Sequence, residues 1–153
     1  MTDHTPTTRA YQLPDSAALS VASGQALEAS EKALDRLGRV MAVVTAAGFR
    51  DVLADYDHDA PFDAAHAELS EGAGGDLSVT GRYWTVAGEE RTLADAIGKF
   101  DADHAVFGIN EWTNYLDAST WDVWHPLVTD LPDIDGRPAY RLDLVKAAAL
   151  PLD

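Results

Sequence analysis

The densest group of side chains that could carry out chemistry lies between residues 55 and 68. It combines hard oxygen ligands with imidazoles: Asp55, Asp57, His58, Asp59, Asp63, His66 and Glu68. Such side chains can hold a metal ion that activates water, with a carboxylate acting as general base. The cluster therefore raises the hypothesis of a metal-dependent hydrolase.

The spacing of this cluster does not match a calcium-binding loop. Such a loop needs oxygen donors at alternate positions, then a glycine for the sharp turn and a glutamate that binds through both oxygens. The three alternating aspartates fit, but Ala60 stands at the glycine position and His66 at the glutamate position. Asp57, His58 and His66 are weaker candidates for a transition metal. Carboxylates close to histidines are expected by chance in so acidic a chain, and the sequence predicts no cofactor.

Aromatic residues are concentrated in a second segment, which contains Trp112, Tyr115, Trp121 and Trp124. On a helix, Trp121 and Trp124 would share one face. A cluster of this kind is typical of a hydrophobic core. It is also typical of a protein-binding surface, where tryptophan and tyrosine contribute much of the binding energy.

The chain has 26 acidic and 11 basic residues, which gives a formal net charge of −15. A surface this negative repels phosphate backbones and anionic lipids, so we expect neither direct nucleic-acid binding nor membrane binding. The charge is compatible with simple solvation, with docking of a basic protein and with imitation of DNA.

We therefore predict a non-enzymatic protein that binds another macromolecule as an inhibitor, an accessory protein or a DNA mimic. The predicted contact residues are the four aromatic residues of the second segment together with Asp55, Asp57 and Asp59. The hydrolase that uses residues 55–68 is one alternative. A structural subunit of a larger assembly, which would form a homo-oligomer, is another.

The absence of cysteine excludes disulfides and thiolate chemistry, and it fits a cytoplasmic protein. No apolar run approaches the length of a membrane span, and the first residues lack the order of a signal peptide. Residues 1–14, which are rich in Thr and Pro, are predicted to form a flexible arm.

Local patterns predict the elements that position these residues. Apolar spacing and capping residues predict helices at residues 15–47, 61–71, 92–100, 111–117 and 119–128. In the first helix, Leu27, Leu34 and Met41 form an apolar stripe, and Gly48 is predicted to end it. Strands are predicted at residues 49–56, with a helical turn as the alternative, and at residues 77–86, 105–109 and 139–145. Residues 90–93 either pair back as a strand or lead into the helix at 92–100, and a turn is predicted at residues 131–138.

One short stretch, Phe107-Gly108-Ile109-Asn110, resembles the aromatic-Gly-x-Asn stretch of barstar-like ribonuclease inhibitors. The spacing after the asparagine departs from that family, and the long first helix is not expected there. The charge of the chain also resembles that of antirestriction proteins that imitate DNA, although no motif accompanies it.

Together these elements predict a single α+β domain over residues 15–153. In this fold a long N-terminal helix packs on a small, mainly antiparallel sheet with additional short helices.

Overall fold

A computed structural model describes residues 8–57 and 59–153, which divide into two compact units at Lys32 and Ala33. The helices and strands follow in this order: α1 (Ser16–Leu53), β1 (Ala64–Glu71), β2 (Leu77–Thr85), β3 (Glu90–Thr92), α2 (Leu93–Ile97), α3 (Lys99–Thr113), α4 (Trp121–Trp124), β4 (Val128–Ile134), β5 (Arg137–Asp143) and α5 (Leu144–Ala148). Short 3-10 helices, Ala118–Thr120 and His125–Leu127, flank α4. Among the described residues, no helix combines the length and the hydropathy needed to cross a bilayer.

The first unit contains the beginning of α1. The carboxylate of Asp15 accepts the backbone N–H of Ala18 at 2.7 Å and so caps the helix. Glu28 and Lys32, one turn apart, form an ion pair of 3.1 Å between exposed side chains. Gly24 does not interrupt the helix.

The second unit is built on a five-stranded sheet with the order β3-β2-β1-β5-β4. Every neighbouring pair of strands is antiparallel. The predicted α+β fold, with a long N-terminal helix and a mainly antiparallel sheet, is therefore confirmed.

The predicted end of α1 is wrong. Gly48 lies inside the helix, which continues to Leu53, so the strand predicted at residues 49–56 is also wrong. The reason is a close approach between helices: a Cβ atom at Gly48 would lie 3.0 Å from Cγ1 of Ile109 on α3. Glycine serves here to let two helices touch rather than to end one of them.

The buried side of α1 also differs from the predicted stripe. Its buried residues are small or aromatic: Gly38, Ala42, Thr45, Ala46 and Phe49. Leu34 and Met41 are only partly buried. A Cβ atom at Gly38 would lie 3.0 Å from Cβ of Val123, so close contact with α4 favours small residues over leucine on this side.

Two further predictions are wrong because tertiary contacts override local pattern. Residues 61–71, predicted to form a helix, contain β1, which lies between β2 and β5 and pairs with both. Residues 105–109, predicted to form a strand, belong to the middle of α3. The helix predicted at residues 111–117 is the end of α3 and a turn, and the one at residues 119–128 consists of short helical pieces.

Other local predictions are confirmed. β2 matches the strand at residues 77–86, with Gly81 at φ +100° opposite an irregularity in its pairing with β1. The Thr92 hydroxyl accepts the N–H of Asp95 and caps α2.

β5 overlaps the last predicted strand, although Leu144 and Val145 belong to α5. The turn predicted at residues 131–138 is wrong except at Asp135 and Gly136, both with positive φ, because residues 131–134 belong to β4 and residues 137–138 to β5, which pair with each other.

The core of the second unit lies between one face of the sheet and the helices. Phe49 of α1 packs edge-to-face on Tyr83 of β2, with ring centroids 6.2 Å apart. Leu69 and Leu142 contribute from the central strands, and Ile109 from α3. This packing holds the end of α1 beside α3, and the candidate site lies between them.

Candidate functional site

A groove of about 550 Å³ runs between the C-terminal part of α1 and α3 in the second unit. Its floor is apolar and consists largely of small residues: Val44, Ala47, Gly48, Ala105, Gly108 and Ile109. Its rim carries polar and aromatic side chains: Asp51, Asp55, Tyr56, Asp101, His104 and Trp112. The volume lies in the range of ligand-binding clefts, about 300–1,000 Å³.

The contacts of α1 show how it is oriented relative to α3, and so which residues lie at each end of the groove. Position 48 of α1 meets Ile109, whereas position 38 meets Thr120 and Val123 further along the chain. The polypeptide from α3 to α4 therefore runs opposite to α1. Asp51, Asp55 and Tyr56 thus lie towards the start of α3, with Asp101, at what we call the acidic end. Trp112 lies with Val44 at the other end, which we call the tryptophan end.

Two rim residues adopt an unusual backbone conformation. Asp55 has φ 50° and Tyr56 has φ 60°, directly after α1. The N–H of Tyr56 donates to the carbonyl of Asp51 at 2.7 Å, so these residues close the helix in a position that usually favours glycine. A bulky residue with positive φ is strained, and strain of this kind is concentrated at functional sites. Here it leaves the Tyr56 side chain 71% exposed at the rim.

The charge of the acidic end is only partly compensated. Asp51 forms an ion pair with Arg50 at 2.9 Å. In the part of the chain that the structure describes, neither Asp55 nor Asp101 belongs to an ion pair. Two carboxylates at the acidic end thus remain available to an approaching cation.

Exposed aromatic side chains also lie at the rim of the groove. Phe100 and Phe107 of α3 are also largely exposed, and Phe100 packs edge-to-face on the rim residue His104 with centroids 4.6 Å apart. Tyr56 and Trp112 at the rim, and Phe100 in contact with His104, thus place exposed aromatic surface at this groove. Exposed apolar surface of this kind is a feature of interaction sites in soluble proteins.

The four aromatic residues predicted to bind a partner have different environments. Trp124 is 1% exposed, donates its indole N–H to the carbonyl of Asp117 at 2.8 Å and belongs to the core. Trp121 is 42% exposed and stacks on His125 at 3.8 Å. Tyr115 is half exposed, and its carbonyl accepts the hydroxyl of Thr120. Among these four residues, Trp112 lines the groove, and it is 43% exposed.

Of the three predicted aspartates, only Asp55 lines the groove. Asp57 and Asp59 lie in the turn after α1, where the Asp57 carboxylate accepts the N–H of Asp59 at 3.0 Å. His58 lies outside the described residues. Within residues 8–57 and 59–153, no three His, Asp or Glu side chains are placed to hold a metal ion together.

Glu68 belongs to a different face, the side of the sheet opposite the core. It is 6% exposed, and its carboxylate accepts the hydroxyl of Thr80 and a guanidinium N–H of Arg82, each at 2.8 Å. Nε of Arg82 also lies 2.7 Å from Oε1 of Glu90, an ion pair without the direction of a hydrogen bond. Internal partners thus already occupy the Glu68 carboxylate.

His66 lies on the same face of the sheet, next to Arg141 and Asp143. Burial and the nearby Arg141 guanidinium lower the pKa of His66, and Asp143 opposes them less strongly. Arg141 can only donate, so its 3.4 Å contact with Nδ1 of His66 is a hydrogen bond when that nitrogen is the acceptor; Nε2 of His66 lies 4.0 Å from Asp143. Arg82 and Arg141 also lie over the ring of Trp84, at 4.9 and 4.7 Å.

Most residues of the groove were not predicted from the sequence. The residues that line it from α3 follow helical spacing: Asp101, His104, Ala105, Gly108 and Trp112. This signal was obscured because residues 105–109 were predicted to form a strand. Tyr56 had no distinguishing signal, because its role follows from a backbone conformation that only the fold reveals.

Comparisons of the chain with protein-family models, with curated proteins and with solved structures find no significant match.

Proposed function

We propose that this chain is a non-enzymatic binding protein whose groove between α1 and α3 takes a cationic, partly apolar segment of another protein. The observation that carries the proposal is the composition of the groove: an apolar floor, exposed aromatic residues at its edge and uncompensated carboxylates at one end. These features are complementary to a protein segment whose side chains are apolar on one side and basic at one end.

The charge of the molecule argues for a basic partner rather than a second copy. The net charge of −15 repels an identical chain and attracts a basic one, which increases the rate of encounter. The apolar floor supplies attraction that does not depend on salt. This distinguishes the proposal from pure DNA mimicry, in which rows of carboxylates alone would replace phosphates.

A bulky substitution in the floor tests the site. A Cβ atom at Gly108 meets nothing within 4 Å, so Gly108→Leu should fill the groove without a clash and favour the helix. We expect it to weaken the binding of a fluorescein-labelled peptide composed of leucine and lysine, the Leu/Lys peptide, by about tenfold or more. A tenfold loss of affinity corresponds to about 1.4 kcal/mol. Fluorescence anisotropy measures this affinity.

Gly24→Leu is the matched control, because Gly24 is also helical and also meets nothing within 4 Å. It should leave peptide affinity unchanged. Equal affinities of the wild type and Gly108→Leu would overturn the proposal. Equal binding of a Leu/Glu peptide by the wild type would do the same, because it would show that charge does not select the partner.

A charge-matched pair of variants separates the groove from the general field of the molecule. Asp55→Asn with Asp101→Asn removes two charges from the acidic end, and Asp130→Asn with Asp133→Asn removes two from β4. The first pair should weaken the binding of the Leu/Lys peptide several-fold more than the second pair. An equal effect would show that the peptide responds only to net charge.

A further inference from the structure

The groove floor gives an incoming segment no backbone partner. It is formed by α1 and α3, whose interior N–H and C=O groups are already paired within each helix. An extended peptide laid on this floor would bury backbone groups without partners, and its usual mode of binding requires the free edge of a strand. A helix pairs its own backbone groups and avoids this cost.

The dimensions of the groove set the length of such a helix. Along α3 the lining runs from Asp101 to Trp112, which at 1.5 Å per residue is about 16 Å. A bound helix of about 11 residues, or three turns, spans this distance. Its apolar residues at helical spacing would contact the small residues of the floor, as ridges fit the groove between two packed helices.

The two ends of the groove differ in charge, and the occupant should match them. Asp55 and Asp101 lie at the acidic end, whereas Val44 and Trp112 form an apolar and aromatic surface at the tryptophan end. Lysine or arginine is favoured next to the carboxylates, and large apolar side chains are favoured next to the indole.

We infer, on the basis of the proposed function, that the occupant is an amphipathic α-helix of about three turns whose basic residues are gathered at one end. A segment this short is barely helical in water, so it folds when it binds. The groove therefore selects a partner by helical period as well as by charge.

Three labelled peptides of about 14 residues test this inference, and the first and third have equal composition. The first has an apolar stripe at helical spacing with lysines at one end, the second has the same order with one central proline, and the third alternates apolar and basic residues with a period of two. We expect the first to bind at least about tenfold more tightly than the others and to gain helical circular dichroism on binding.

The outcomes separate the inference from the proposed function. If all three peptides bind equally and Gly108→Leu weakens each of them, the groove is a binding site but the helical occupant is refuted. If the first peptide binds without gaining helix, the inference is likewise refuted. If no peptide binds, the proposed function itself fails. Self-association of the chain that Gly108→Leu abolishes would identify a second copy as the occupant and would overturn both.

Discussion

At the scale of single residues, burial and position distinguish side chains that can contact a partner from side chains that stabilise the fold. Trp112 and Trp121 have nearly equal exposure, yet only Trp112 lines the groove. Trp124 is enclosed, and replacing it with alanine would cost the fold about 3–5 kcal/mol. Binding experiments on the aromatic segment should therefore compare Trp112→Ala with Trp121→Ala.

Tyr56→Gly is expected to stabilise the protein while it weakens binding. The substitution removes the strain of φ 60° from a largely exposed side chain and should raise the free energy of unfolding by about 0.5–1 kcal/mol. Urea denaturation measures this change, and anisotropy with the Leu/Lys peptide measures the loss of affinity. Tyr115→Gly is the control and should destabilise, because Tyr115 does not have positive φ. A loss of stability in Tyr56→Gly would contradict the assignment of strain.

His66 predicts a dependence of stability on pH. Its pKa is lowered in the folded state by burial and by Arg141, so the unfolded chain takes up the proton more readily. The contribution of this residue to stability is present above the ordinary histidine pKa of about 6.5 and is lost as pH falls towards the lower folded value. The difference between the urea midpoints of unfolding at neutral and at mildly acidic pH should therefore be smaller in His66→Gln than in the wild type. Equal pH dependence in the two proteins would count against this role.

At the scale of elements, α3 both lines the groove and closes an open edge of the sheet. β3 pairs with β2 only from Arg82 to Trp84. Further along β2, the Asn110 side chain accepts the N–H of Val79 at 2.7 Å and donates to its carbonyl at 3.3 Å. This amide takes the place of a missing neighbouring strand and fixes α3 beside the sheet.

Asn110→Ala should therefore lower the free energy of unfolding by about 1–3 kcal/mol, because both polar groups of Val79 lose their partner. Chemical denaturation measures the loss, and amide hydrogen exchange should show faster exchange at Val79. Asn114→Ala is the control: among the described residues, its side chain makes one hydrogen bond, accepted at the surface from the Ser78 hydroxyl at 3.2 Å, so the cost should be small. Equal costs in the two variants would contradict this account of Asn110.

The element predictions succeeded where local chemistry decides and failed where neighbours decide. β2 was predictable because its β-branched and aromatic residues alternate, and the start of α2 because Thr92 caps it. β1 was not predictable, because its alanine-rich sequence becomes a strand only between two partners. The length of α1 was missed because Gly48 has its role in the contact with Ile109.

At the scale of the whole molecule, net charge and groove chemistry act in different ways. The charge of −15 destabilises the compact state through self-repulsion, and it also accelerates encounter with cations. Both effects weaken as salt shortens the range of electrostatic interactions to about 10 Å at 0.1 M. Salt therefore changes stability and binding in opposite directions.

Raising sodium chloride from low to moderate concentration should increase the melting temperature of the protein and weaken its binding of the Leu/Lys peptide. Part of the affinity should persist at high salt, since the apolar floor does not depend on charge. Scanning calorimetry and anisotropy measure the two effects in the same buffers. Complete loss of binding at moderate salt would favour a purely electrostatic contact, as in DNA mimicry, over the groove.

By itself, the sequence determined the net charge, the α+β class, the strand with the clearest alternation and the cap of α2 at Thr92. These properties depend on composition or on interactions between near neighbours. Only the tertiary structure decided that α1 continues past Gly48, that β1 is a strand and that Asp55 and Trp112 line one groove. The physical reason is that close helix contacts, strand pairing and clefts arise between segments far apart in the chain. Local periodicity does not identify the distant segment that a residue will contact.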